Sequence, residues 1–297
     1  MRDARSFFAL KDSSMKRSFL SHLSGAALLA GALAGSPALA ESGHHEKKPE
    51  VHSWSFAGAL GSYDKAQLRR GFKVYKEVCS TCHSIKMLAF RNLSQPGGPE
   101  FSEKEVADLA ATYKVKDGPN DTGDYFDRPA RPSDRFPPPF ANEQAARAAM
   151  SGAYPPDMSV LAKARGYGRG FPTFLFDALP GFSYQEHGVD YIASLLKGYG
   201  EPPHGMQIPD GQFYNAYMPG NRIGMPPPLS DGAVTYDDGA PQTVDQYAKD
   251  VTAFMMWVAE PHLDARKRIG QAVLAFLFVF AVLLYFTKRK IWSNVAH

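Results

Sequence analysis

Cysteine is almost missing from this chain, with two residues in 297. That scarcity rules out a fold built on disulfides and a structural zinc site made of four thiolates. No internal repeat is visible, which excludes a solenoid or a propeller. Few segments alternate apolar and polar side chains over the length of a strand, so an extended sheet is not expected. Long apolar runs are scarce as well, the only two being Phe19 to Ala34 and Ile269 to Phe286. A strong charge of one sign is also lacking, the whole chain carrying a formal +3.

Both cysteines fall in one pentapeptide, Cys79-Ser80-Thr81-Cys82-His83. Two thiols three positions apart on one turn can add to the two vinyl groups of a haem, and the adjacent imidazole then lies against one face of the porphyrin. The spacing therefore points to one covalently bound haem c, carried by Cys79 and Cys82, with His83 as an iron ligand. A thioredoxin-like dithiol requires no histidine, and zinc would need a fourth ligand that this cluster does not offer.

The two apolar runs differ in kind. From Met15, a second readable start, the chain runs through Lys16-Arg17, the first apolar stretch and Ser36-Pro37-Ala38-Leu39-Ala40. Basic, apolar and small-residue segments in that order predict a signal peptide over residues 1 to 40. Gly25, Gly31, Gly35 and Pro37 interrupt this run short of the ~20 residues a membrane span needs. The second run holds 18 uncharged residues between Arg266-Lys267-Arg268 and Lys288-Arg289-Lys290, so residues 266 to 290 are expected to form a transmembrane anchor with basic flanks. The expected layout is an exported domain over 41 to 265, haem side in the periplasm of a bacterial cytoplasmic membrane, and a cytoplasmic tail over 291 to 297.

Cutting the chain this way changes its charge. Residues 1 to 40 carry five basic and two acidic side chains, and 266 to 297 carry six and none. Of the 33 basic and 30 acidic residues, 22 and 28 remain in the exported part, a net −6. Nucleic acid is excluded as a partner on that balance. An acidic face, with Asp237 and Asp238 among its candidates, would instead steer a basic protein partner.

Helical periodicity is clear in four places. Tyr63 to Val78 runs into the haem motif with Leu68, Phe72 and Tyr75 on one face, and Asp64 with Gln67 forms a capping-box pattern. Gly71 in that helix predicts close approach of a partner, the candidate being Val244 to Ala259, which ends before Pro261. Helices are also expected over Asn142 to Met150, closed by Gly152, and Gly188 to Lys197, closed by Gly198. Four proline-rich turns punctuate the rest. The class is mainly α, with long Pro/Gly-rich loops that need a haem to pack on.

A sixth ligand must face His83. Gly224 lets the backbone approach closely and Pro226-Pro227-Pro228 stiffens the loop, so Met225 leads, with Met218, Met158 and Met206 as alternatives. Met255 and Met256 sit on a helix as core residues. His44, His45 and His52 are expected in a flexible N-terminal stretch, while His187, His204 and His262 occupy element ends.

Several segments together resemble the cytochrome c1 family: Trp54-x-Phe56-x-Gly58, Gln67 to Cys79, Ala153-Tyr154-Pro155-Pro156-Asp157-x-Ser159, Gly198-Tyr199-x-Glu201-Pro202-Pro203, Ile223-Gly224-Met225-x-Pro227-Pro228, Tyr236-Asp237-Asp238-Gly239 and Ala248 to Val251. The resemblance spans most of residues 54 to 290. It implies an elaborated class I cytochrome c domain plus one C-terminal transmembrane helix, and axial ligation by His83 and Met225. It further implies Arg165 as a propionate partner, and Tyr191 and Pro156 as residues lining the haem. The implied function is the haem subunit of a ubiquinol–cytochrome c oxidoreductase, with cytochrome b and Rieske iron–sulfur subunits as partners and a c-type cytochrome as acceptor. Some bacterial relatives brace the Met-bearing side with a second cysteine pair. This chain lacks one, leaving packing or the segment Gly166 to Tyr184 to do so. A free membrane-anchored cytochrome c shuttle, and a haem enzyme or sensor with an open sixth position, are the rival readings.

Overall fold

Asp64 starts the first helix. In the computed structural model, which describes residues 47–166 and 187–294, its carboxylate accepts the backbone N–H groups of Ala66 and Gln67, capping α1 (Lys65–Glu77). The Gln67 amide does not close a capping box. It donates instead to Asp250 at 3.2 Å. Leu68, Phe72, Val74 and Tyr75 form the buried face.

The remaining helices follow in chain order. Ser102 and Glu105 close a reciprocal capping box on α2 (Glu103–Ala111), and Asn142 caps α3 (Glu143–Ala149). A single turn, α4 (Leu161–Ala164), precedes α5 (His187–Lys197), α6 (Val244–Ala259) and α7 (Leu263–Trp292). Among the described residues, strands are confined to two antiparallel hairpins. β1 (Lys114–Asp117) pairs with β2 (Phe126–Pro129), and β3 (Phe213–Tyr214) with β4 (Arg222–Ile223). The described architecture is mainly helical, as expected.

The core lies where α1 and α5 pack on α6. A Cβ at Gly71 would sit 2.0 Å from the Asp250 carbonyl oxygen, so only glycine permits this crossing. Met255 and Met256 are fully covered, as their helical placement implied. A ring cluster of Phe72, Phe101, Phe136 and Phe254 fills the crossing, with centroids 5.6 to 6.1 Å from Phe72. Gly198 is needed for a reason other than ending α5. Its φ is not left-handed, but a Cβ there would meet the Tyr217 ring at 2.5 Å.

The stretch holding His52 does not flex. His52 N–H and Trp54 Nε1–H both donate to the buried Asp190 carboxylate, at 3.0 and 2.8 Å. Glu50 N–H reaches Ser194 Oγ at 2.8 Å, and His52 stacks on Trp54. A strap over residues 47 to 56 is thereby pinned along α5. His44 and His45 lie outside the described residues.

The helix α7 is 30 residues long, with mean hydropathy 2.4 in its apolar window and none of that window buried. At 1.5 Å per residue it extends about 45 Å, longer than the ~30 Å hydrocarbon layer. Its first turns are fixed to the domain. Lys267 Nζ donates to the carbonyls of Phe56 (2.6 Å) and Gly61 (3.1 Å), and Gln271 Nε2 to Ala59 O (3.0 Å).

Asp237 and Asp238 are not spare acids. Asp238 pairs with Arg70 at 2.7 Å and Asp237 with Lys73 at 3.0 Å, so α1 balances both charges.

Two predictions arise from this packing. Gly71→Ala should gain ~1 kcal/mol of helix propensity. The clash with a backbone carbonyl should cost about 1–3 kcal/mol or more, so the full chain in detergent should melt lower by circular dichroism; a raised melting temperature would refute the contact. Glu50 accepts from Tyr217, Lys47 and Lys197, which together hold its carboxyl down from about 4.5 to about 2. The folded value lies below the unfolded one, so this contribution is present above about pH 4.5 and is lost as pH falls toward 2. Proteolytic cleavage within the strap should rise over that window, and Glu50→Gln should show it at neutral pH.

Candidate functional site

Beyond the C-terminal end of α1 the chain tightens into a 3-10 turn, Cys79–Thr81. His83 N–H and Cys82 N–H both donate to the Cys79 carbonyl, at 2.9 and 3.1 Å. The turn places both free thiols and the imidazole at consecutive corners of one backbone loop. Tyr75, one turn back on α1, donates its hydroxyl to the His83 carbonyl at 3.1 Å and ties the loop to the helix.

The electrostatics separate the rival readings of the cysteine pair. Burial of the Cys79 thiol, with a smaller contribution from Cys82, pushes it up to about 12, although the residue as a whole is only partly covered. Redox-active dithiols have their thiols depressed well below the usual value. A raised Cys79 thiol does not fit a redox-active dithiol.

His83 Nδ1 lies 2.8 Å from the Pro156 carbonyl oxygen. A carbonyl only accepts, so Nδ1 carries the proton and Nε2 keeps its lone pair for a metal. Burial lowers the imidazole's proton affinity, against the raising effects of the Pro156 carbonyl and Asp157. Pro156 thus acts through its backbone, a role beyond the expected one of lining the haem. The carbonyl is aimed by its neighbour. Asp157 accepts from Ser84 Oγ (2.7 Å), Lys86 N–H (3.0 Å) and Ser159 N–H (2.9 Å). Burial would raise this carboxyl, but those donors reverse the effect and hold it below the usual value.

Met225 follows strand β4 in an irregular loop. Its carbonyl accepts from the Tyr199 hydroxyl at 3.1 Å, and burial raises the Tyr199 phenol, keeping it a donor. A Cβ on Gly224 would lie 3.8 Å from that of Ala153, so the Met225 loop abuts the same short segment that carries Pro156. The alternatives fare differently. Met158 is buried, its N–H on the Ser84 carbonyl at 2.8 Å, and therefore belongs to the His83 side. Met218 sulfur accepts from Tyr191 at 3.7 Å, and Met206 closes a turn on Pro203.

Tyr191 lies on α5, partly buried. Arg165 stands exposed at the C-terminal end of α4, next to the segment 167–186 that lies outside the described residues. No contact brings Arg165 to His83 or Met225 among the described residues. The bracing segment Gly166 to Tyr184 falls almost wholly outside them as well. Sequence reasoning missed Asp157, Ser84 and Tyr199. An Asp two residues before a Ser, after Pro-Pro, carries an Asx-turn signal for Asp157; nothing local marks the other two.

Two neighbouring free thiols, an imidazole with Nδ1 engaged and Nε2 free, and a methionine loop sharing the segment 153–156 suit a covalently held haem c.

Comparison with known proteins agrees. The sequence model of the Cytochrome C1 family matches residues 54–295. The chain is 56% identical over 271 residues to a protein named Cytochrome b/c1 from Bradyrhizobium diazoefficiens, covering 91% of this chain and 39% of that one. It is 52% identical over 272 residues to Cytochrome c1 of Blastochloris viridis, covering 91% of this chain and 94% of that protein. Identity to Cytochrome c1-2, heme protein, mitochondrial, of Solanum tuberosum is 41% over 259 residues, covering 86% and 90%. The chain therefore spans well under half of the first relative and nearly all of the second. With matches running the length of the described domain, the chain belongs to the cytochrome c1 family.

Proposed function

We propose that this chain is the haem c electron-transfer subunit of a ubiquinol–cytochrome c oxidoreductase. In that role it lies between the Rieske iron–sulfur subunit and a c-type cytochrome acceptor, beside cytochrome b. The observation that carries the reading is the His83 imidazole, oriented by the Pro156 carbonyl at 2.8 Å next to both thiols. The exported domain is 41 to 265, following a signal peptide over 1 to 40. The anchor is 266 to 290, and its first turns, fixed by Lys267, hold the domain at the periplasmic surface, with 291 to 297 in the cytoplasm.

Within the site, Cys79 and Cys82 would hold the haem covalently, and His83 Nε2 and the Met225 sulfur would be its iron ligands. Arg165 serves a propionate, and Tyr191 lines the pocket with Pro156. When bound, the haem supplies the one-electron couple. The chain supplies attachment, orientation and closure. Tyr75 and Pro156 fix the imidazole, and Tyr199 fixes the methionine loop. No side chain here moves a proton for the reaction, so the subunit has no separable catalysis. Copurification with cytochrome b and Rieske subunits is the expected outcome of tagging the chain in its membrane; isolation alone would point to a free shuttle.

Met225→Leu keeps bulk and removes sulfur. Covalent haem should remain while the potential falls, on the order of hundreds of millivolts, and quinol-driven reduction of the acceptor should stop. An unchanged potential in a redox titration would return Met218, Met158 and Met206 to contention. Cys82→Ala and His83→Ala should each reduce assembled holoprotein on haem-stained gels of membranes, because haem binding is also folding energy in a loop-rich domain. Full covalent haem and an unaltered low-spin spectrum without His83 would contradict its assignment.

A further inference from the structure

The Pro156 carbonyl sits in a stretch that belongs to no helix or strand, between Ala153 and Ser159. Something must aim it at His83, and the surrounding bonds identify what. Residues 84 to 87 directly follow His83, and residues 157 to 159 directly follow Pro156. These two stretches are stitched together by Ser84 Oγ–H to Asp157 at 2.7 Å, Lys86 N–H to Asp157 at 3.0 Å, Met158 N–H to the Ser84 carbonyl at 2.8 Å and Met87 N–H to Ser159 Oγ at 3.1 Å. Ser84, Met158 and Ser159 are buried. An ordinary Asx turn would require only the Ser159 N–H bond, at 2.9 Å. The Ser84 and Lys86 bonds instead join residues 73 and 71 positions apart. Their geometry serves the pair His83 and Pro156.

We propose that Asp157 is a positioning residue for the axial imidazole, holding the Pro156 carbonyl against His83 Nδ1–H and so setting the electron affinity of the site. This rests on the reading of His83 as an iron ligand. A ligating imidazole that donates its second ring N–H becomes a stronger donor, and such outer partners alter metal-site properties by about 10- to 100-fold. A stronger imidazole donor favours the oxidised state. The Asp157 carboxylate takes all three of these bonds from neutral donors, and its own negative charge acts in the same direction. Geometry and charge must therefore be separated by experiment.

The test uses the full chain in its purified, haem-loaded membrane complex. Asp157→Asn removes the charge and turns an amide N–H either toward the Lys86 N–H and the Ser84 hydroxyl, which share one oxygen, or toward the Ser159 N–H on the other. Ser84→Ala leaves the charge in place and removes one of the bonds that hold it. Redox titration against a mediator and the g-values of the oxidised protein by electron paramagnetic resonance are the readouts. Asp157→Asn should shift the one-electron equilibrium toward the reduced state by about tenfold, and Ser84→Ala should shift it several-fold in the same direction. Both should change the g-values while keeping covalent haem. Should Asp157→Asn fail to accumulate, Ser84→Ala decides alone. An unmoved equilibrium in Ser84→Ala, whatever the Asp157 variant does, would overturn positioning and leave at most a charge effect. A low-spin spectrum retained in His83→Ala would instead strike the ligation reading itself.

Discussion

Gly71 brings the backbone of α1 against the Asp250 carbonyl of α6, and the position of the Cys79–His83 turn follows from that contact. The turn begins two residues past the end of α1, so any change in the crossing is passed on to the thiols and the imidazole. Apolar burial supplies most of the energy. Leu68, Phe72, Val251, Phe254 and Met255 are each almost fully covered, at about 1.5–3 kcal/mol apiece. The buried Asp250 carboxylate supplies register. It accepts from Arg70 Nε (2.8 Å), Gln67 (3.2 Å) and Gln246 (2.9 Å), and stripping one partner from such a buried pair costs about 3–5 kcal/mol. The Gln246 bond lies within α6, so slippage of α1 along α6 would break the Arg70 and Gln67 bonds before it lost much apolar contact.

From that frame the site is held mainly through backbone groups. Pro156 offers a carbonyl to His83, Tyr75 grips the His83 carbonyl, and Tyr199 grips that of Met225. Such a design suits a subunit whose redox chemistry belongs to its cofactor. The protein's levers are orientation, burial and hydrogen bonding, and no acid or base has to change state.

The sequence was legible where information is local. Val244–Ala259 was predicted to the residue because its apolar face and the Pro261 stop behind it are local signals; the Thr243 cap that the structure adds is local too. Gly71 was read correctly as a point of close approach, and the haem motif speaks for itself. The helix Glu103–Ala111 was missed although Ser102 and Glu105 spell its capping box, because Val106 and Ala110 alone make a weak apolar stripe. The His52 strap was misjudged for a different reason. Its polar composition resembles a loose tail, and what orders it is a buried carboxylate at Asp190, 138 positions away. Tyr199 was hidden on the same grounds, and Asp157 showed only its local turn signal, its bonds to Ser84 and Lys86 being remote in sequence. Met225 stood ahead of the other methionines on its glycine and prolines, and family resemblance then singled it out.

In a chain with no second cysteine pair, the hairpin β3–β4 supplies packing beside the Met225 loop among the described residues. Asn215 and Asn221 are both buried between its ends. Asn215 Nδ2 donates to the Leu195 carbonyl at 2.8 Å, and Asn221 Nδ2 to those of Asn215 and Ala216 at 3.2 and 3.1 Å. Ala216 N–H reaches the Gly198 carbonyl at 2.9 Å, where the absence of a side chain on Gly198 makes room for Tyr217 and Asn215. Tyr199 completes the chain of support at Met225. At a net ~1 kcal/mol for each bond, these contacts together are comparable with the about 2–4 kcal/mol that a disulfide contributes. A disulfide acts mainly by restricting the unfolded chain, whereas buried amides act only when every partner is in place. Bracing of this kind is therefore cooperative: the Met225 loop holds its position as long as the end of α5, Gly198 and the hairpin stay docked together, and loosening any one of them releases the rest.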